Sequence, residues 1–157
     1  MVSVSGNKDL NLFKILNQLS AGYLRYNYPL SILNEKNEPE QIGTFVILSV
    51  GCENYLVTAA HAAKDCLKSG FLCFHNDGTT YFQGTAYLDE ADTIDIGILK
   101  IDKIIGAGSF NIIREDMIFD GIISPDDVCS IMGFPATKTR LDRRNYLISS
   151  KNYVYYG

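Results

Sequence analysis

No apolar run in this chain approaches the length of about eighteen residues that a membrane span requires. A helical membrane anchor is therefore not expected, nor a membrane as partner. The opening residues, Met1-Val2-Ser3-Val4-Ser5-Gly6, lack the basic start and apolar centre of a signal peptide, so a cytoplasmic location is the expectation. Positive charge is also scarce. Fourteen Lys and Arg stand against eighteen Asp and Glu, for a net charge of -4, and the basic residues are scattered, which excludes nucleic acid as the expected partner. Cysteine is limited to Cys52, Cys66, Cys73 and Cys129, with no CxxC spacing for a metal. In a reducing compartment these read as buried thiols, a Cys52 to Cys66 bridge being the alternative. Neither a metal nor an organic cofactor has support. Internal repeats and low-complexity segments are missing, and so is tryptophan, while Tyr and Phe together supply 18 residues.

What remains suits one core. The 157 residues are 46% hydrophobic and 20% charged, a balance that reads as soluble and globular. Leu10, Leu12, Phe13, Leu16 and Leu19 follow a helical stripe, with Asp9 as N-cap and Gly22 just past the end, so residues 9–19 form the one expected long helix. Residues 27–41 hold two prolines and a charged stretch, and read as a loop between extended segments. From Gly43 the pattern becomes short apolar runs between turns. Strands are predicted at residues 44–50, 55–58, 71–74, 80–83, 84–88 and 94–101, with Asn76-Asp77-Gly78 as a turn. Their spacing is that of a closed antiparallel barrel, which aromatic side chains would fill, and the fold class is all-β. Residues 102–120 form a looser connection. Residues 126–135 look like a strand entering a turn, and residues 145–149 and 153–156 are further strand candidates.

Two groups of residues could carry chemistry. In Leu56-Val57-Thr58-Ala59-Ala60-His61 an apolar strand ends by delivering a histidine, the arrangement that places a general base. An imidazole acting as base needs a carboxylate that holds its tautomer and stabilises the imidazolium. Asp95 suits that role, at the head of the apolar run Ile96-Gly97-Ile98-Leu99 where rigid backbone can hold it partly out of water. Asp92 is the alternative if the register shifts by three. His75 reads as a solvated hairpin residue, and Arg140, Arg143 and Arg144 as a solvated loop.

Val57-Thr58-Ala59-Ala60-His61 resembles the histidine signature of the trypsin-like serine peptidases. Gly43-Thr44-Phe45-Val46 is similar to the strand that precedes it in that family. Asp95-Ile96-Gly97-Ile98-Leu99-Lys100 resembles the family's Asp-Ile-Ala-Leu-Leu-Lys segment, and Ile131-Met132-Gly133-Phe134-Pro135 its Gly-Phe-Pro strand end. The four motifs occur in the family's order across residues 43–135. Ala62 in place of a cysteine is similar to the intracellular bacterial and viral branches. The resemblance implies a double-barrel fold, with a helix and lead-in at residues 1–42, a six-stranded barrel carrying His61 and Asp95 at 43–120, and an incomplete second barrel opening at 121–157. It also implies catalytic roles for His61 and Asp95.

The family's nucleophile segment, Gly-x-Ser-Gly-Gly, has no counterpart. Ser109 precedes Phe110 ahead of the expected second barrel, Ser149 and Ser150 have no glycine beside them, and Cys129 lies too early in the pattern. The resemblance therefore implies the N-terminal part of a serine endopeptidase acting on peptide or protein substrates, with its serine beyond Gly157 and this part inactive alone. Two other readings stay open: an inactive peptidase-like module binding a peptide or protein, and one half of a split protease that a second chain completes. An open sheet edge within 126–157 would also favour a homodimer. If His61 and Asp95 act together, their side chains lie within hydrogen-bond reach.

Overall fold

Strand formation here follows side chains that alternate between core and solvent along an extended backbone. In Glu53–Ala59, for example, Leu56 and Thr58 are buried while Val57 between them is only half-buried. A computed structural model describes residue 18 and residues 21–75, 78–88, 94–118, 121, 130–134, 140–142, 147–149 and 153–156. The strands are β1 (Tyr28–Leu33), β2 (Pro39–Val50), β3 (Glu53–Ala59), β4 (Phe71–His75), β5 (Gly78–Leu88), β6 (Ile96–Ile105) and β7 (Ile113–Arg114), followed by β8 (Ser130–Gly133), β9 (Arg140–Asp142), β10 (Leu147–Ser149) and β11 (Tyr153–Tyr156). One ten-residue helix, α1 (Ala60–Ser69), joins β3 to β4.

Six strands close into an antiparallel barrel in the order β1-β2-β3-β6-β5-β4 and back to β1. The closing seam is one pair, Ser31 with Leu72. Such a thin seam accommodates Pro29, whose missing N–H would interrupt a longer ladder. The short β7 runs parallel to β2 through Leu48 and Ile113. Leu30, Phe45, Ile47, Leu56, Phe71, Cys73, Phe82 and Leu99 fill the interior. Phe45 lies at its centre, with ring centroids 5.4 Å from Tyr28, 5.3 Å from Phe82 and 6.1 Å from Phe110. Helix α1 contacts β1, β3, β4, β5 and β6 and so lies across one mouth of the barrel. Its buried residues are small, and Ala62, Ala63 and Cys66 join the core.

The barrel of six strands agrees with the sequence reading, but its membership does not. Residues 80–83 and 84–88 are one strand, β5, whose register shifts between Gln83 and Gly84. The sixth strand is instead β1, inside the stretch expected to be a loop, so the barrel starts at Tyr28 rather than Gly43. A bulge between Leu30 and Ser31 buries two successive residues there, which erases the period-two signal. The expected N-terminal helix lies mostly outside the described residues; Gln18 and residues 21–24 are helical, so Gly22 falls within helical residues rather than past them. Helix α1, ten residues long, is not among the elements that the sequence pattern predicts. Alanine favours helix but gives a weak hydrophobic stripe, and Ala60, Ala62 and Ala63 hide the amphipathic face.

Further along the chain, β8 pairs antiparallel with β11 and β9 with β10. Residues 126–129, Pro135, and the segments linking these strands lie outside the described residues, as do Asp92, Arg143, Arg144 and Ser150. The end of β8 is tied to the barrel. Phe134 N–H donates to Thr44 Oγ1 at 2.6 Å, and its carbonyl accepts from Gln41 Nε2 at 2.8 Å and from Thr44 Oγ1 at 3.4 Å. Among the described residues no helix is long and apolar enough to cross a membrane.

Phe45 is 1% exposed and packs against three other rings. Phe45→Ala should lower the unfolding free energy by about 3–5 kcal/mol in urea denaturation. Val50→Ala, at a position 43% exposed, should stay within about 0.5 kcal/mol of the parent. Equal effects would contradict this placement of the core.

Candidate active site

The site forms where β3 ends and β6 begins. These strands are antiparallel neighbours whose last pair is Ala59 with Ile96, so the residues just beyond, Ala60 and Asp95, must also face each other. The ladder continues by one bond, from Ala60 N–H to the Asp95 carbonyl at 2.9 Å. At that point the first chain turns into α1 and the second arrives from Ile94. Asp95 takes a left-handed conformation with φ of 50°. Aspartate is one of the few residues with a side chain that adopts this region readily.

The first N–H groups of a helix have no partner within it. Ala59, at the N-cap position of α1, offers no side-chain acceptor. Asp95 supplies one from the neighbouring strand. Its Oδ1 accepts the His61 backbone N–H at 3.0 Å, and its Oδ2 lies 2.8 Å from His61 Nδ1. One carboxylate therefore caps the helix and holds the imidazole.

The His61 N–H bond, then the bond to its ring, holds the Asp95 carboxyl below its ordinary value of 3.8, against a smaller opposing effect of desolvation. Asp95 is thus ionised at neutral pH and can only accept hydrogen bonds. Nδ1 then presents its proton to Oδ2, and Nε2 is the ring nitrogen turned away from Asp95. That nitrogen makes no hydrogen bond among the described residues. A carboxylate on Nδ1 can orient an imidazole for proton transfer through Nε2.

The sequence reading named His61 and Asp95, and the structure brings them together. It differs in their exposure. The His61 side chain is 71% exposed and that of Asp95 51%, so the carboxylate is open to water rather than withdrawn from it. Thr58, in the same motif, is buried and donates its hydroxyl to the Thr44 carbonyl at 2.7 Å, which ties β3 to β2. Ser109 is exposed in the connection after β6. Cys52 is a free, exposed thiol, and Cys66 and Cys73 are free and buried, so Cys52 and Cys66 are not bridged. Burial pushes both inner thiols up to about 12, with Asp65 adding to the effect at Cys66. They are protonated and unreactive at neutral pH. Among the described residues no group of three His, Cys, Asp or Glu is placed to hold a metal.

Residue type and order do not reveal the part that the backbone plays. The Ala60 amide, the start of α1 and the close packing at Gly97 all belong to the site. Glycine within an apolar strand is the one signal that pointed there, since it often marks a close backbone approach.

No family model matches this chain, and neither the curated proteins nor the solved structures contain a significant match to it.

Asp95 ties the site to acid stability. A carboxyl held below its ordinary value stabilises the fold fully above 3.8, and the contribution disappears as pH falls through the lower folded value. Thermal melting from about pH 7 down to about pH 2 should therefore show Asp95→Ala less stable than the parent near neutrality, with the gap closing at the acid end. The effect should be modest, because the group is exposed. A gap that stays constant over this range would exclude an ionised carboxylate as the cap.

Proposed function

We propose that this chain carries the histidine and aspartate of an intracellular trypsin-like serine endopeptidase. His61 is the general base, Asp95 its orienting carboxylate, and the serine nucleophile lies beyond residue 157. The observation that supports the reading most directly is the double grip of Asp95 on the His61 amide and on Nδ1, which turns Nε2 away from the carboxylate. The position of the pair at the rim of a six-stranded barrel, between the third and sixth strands, adds to it.

In this reading Nε2 takes the serine proton as the hydroxyl oxygen attacks the peptide carbonyl. The imidazolium so formed is stabilised by Asp95 across the 2.8 Å contact. Nε2 then returns the proton to the leaving amine, the acyl-enzyme forms, and water attacks it by the same proton route in reverse. The strand pairs β8 with β11 and β9 with β10 are read as the opening of a second barrel, which would bring the serine and the oxyanion-binding amides. Free thiols at Cys52, Cys66 and Cys73 agree with a reducing, cytoplasmic compartment.

A second reading is favoured by the openness of the pair. A working base needs its carboxylate screened from water, and the Asp95 side chain is 51% exposed. The chain would then be a peptidase-like module that binds a peptide or protein, or one half of an enzyme that another chain completes and covers.

The gene read beyond the codon for Gly157 separates the two. The endopeptidase reading expects an in-frame Gly-x-Ser-Gly segment, and the longer product should be labelled on that serine by a fluorophosphonate. His61→Ala should abolish the labelling, and Asp95→Asn should slow peptide hydrolysis by about 10⁴-fold, since an amide no longer fixes the Nδ1–H tautomer. An absent serine segment, or labelling that survives His61→Ala, would overturn it.

A further inference from the structure

Helix α1 is seated on two glycines. Gly43 of β2 faces Ala62, and Gly97 of β6 faces Ala63, the two residues that directly follow His61. The two seats are not equally tight. A methyl group built on Gly43 would stand 3.4 Å from the Ala62 Cβ and 3.9 Å from Thr58 Oγ1, which is ordinary contact. On Gly97 it would stand 2.6 Å from the Ala63 Cβ, 3.2 Å from the Ala60 Cα and 3.3 Å from the Ala59 carbonyl oxygen. No flexible side-chain end is available to move aside there. The obstacles are a buried methyl group and the backbone of the first helical residue.

We infer that Gly97 is a positioning residue for His61: its missing side chain lets α1 approach β6 closely enough for one carboxylate to hold both the amide and the ring of His61.

The lever is short. Gly97 lies two residues after Asp95 on a strand whose pairs with Thr58 on one side and Leu88 on the other leave it no freedom to turn away. Ala60, which the added methyl would strike, donates its N–H to the Asp95 carbonyl at 2.9 Å. Relief of a 2.6 Å contact to ordinary separation requires a movement of about 1 Å. Bonds of 3.0 Å and 2.8 Å from Asp95 to His61 lie near the optimum, and lengthening either by that amount would end it. The barrel wall cannot yield instead, since Leu99 and Leu56 beside it are buried in the core. The inference concerns the pair itself and holds for any chemistry assigned to it.

The test uses the chain with four substitutions and reads the pair directly. In Gly97→Ala, the Asp95 carboxyl followed by ¹³C NMR should titrate back near its ordinary value of 3.8, and the His61 Nδ1 proton should lose its low-field signal. Gly43→Ala should leave both readings as in the parent. Ala63→Gly combined with Gly97→Ala removes the 2.6 Å contact, the tightest of the three, and should move both readings back towards the parent. Should Gly97→Ala not fold, Ala63→Ser enlarges the same contact from the helix side and should shift the Asp95 titration the same way. In a complete enzyme the loss expected for Gly97→Ala is about 10²-fold in kcat with KM little changed. A Gly97→Ala protein with the parental Asp95 titration and Nδ1 signal would overturn the inference. So would a combined variant that recovers thermal stability while those two signals stay as in Gly97→Ala.

Discussion

Asp95 on the end of α1 is the contact on which the site and its surroundings depend. The N-terminus of a helix carries partial positive charge and unpaired N–H groups, and α1 begins without a capping side chain of its own. The carboxylate that answers this need comes from the strand next door, delivered by the register that sets Ala59 opposite Ile96. Its backbone carbonyl holds Ala60, one oxygen holds the His61 amide, and the other holds the His61 ring. Fold and chemistry are thus coupled in one residue. A register slip by one would present an isoleucine, Ile94 or Ile96, at the helix end, and would lose both together.

The barrel constrains where this can happen. Its interior is packed by rings around Phe45, and the His61 and Asp95 side chains sit on the rim, open to water. Small residues let α1 close the mouth: Ala62, Ala63 and Cys66 reach into the core while His61, Lys64 and Asp65 on the other face stay exposed. The same packing that buries Cys66 and Cys73 keeps both thiols protonated at neutral pH. Openness to water on the outer side of His61 is the counterpart of tight packing on the inner side.

Much of the site was legible because its signals are local. A histidine after a strand of Leu56, Val57 and Thr58, and an aspartate ahead of Ile96 to Leu99, can be recognised from residue type and order alone. Less was legible of the elements around them. Strand β1 was lost because its bulge buries Leu30 and Ser31 in succession, and because Pro29 reads as a loop signal. Helix α1 leaves no clear pattern because alanine contributes little hydrophobic contrast. The single strand β5 was divided at Gly84, where a bulge rather than a turn interrupts the period.

What the amino-acid sequence determined by itself was the kind of fold and the identity of the pair: alternation of apolar residues makes strands whatever their partners, and imidazole and carboxylate are written into positions 61 and 95. Only the tertiary structure decided that β6 returns beside β3, that Asp95 caps the helix as well as the ring, and that Gly97 must be bare for α1 to sit down. Those outcomes depend on distances between residues about thirty-five positions apart, which strand register and the closeness of two backbones set and which no local pattern encodes.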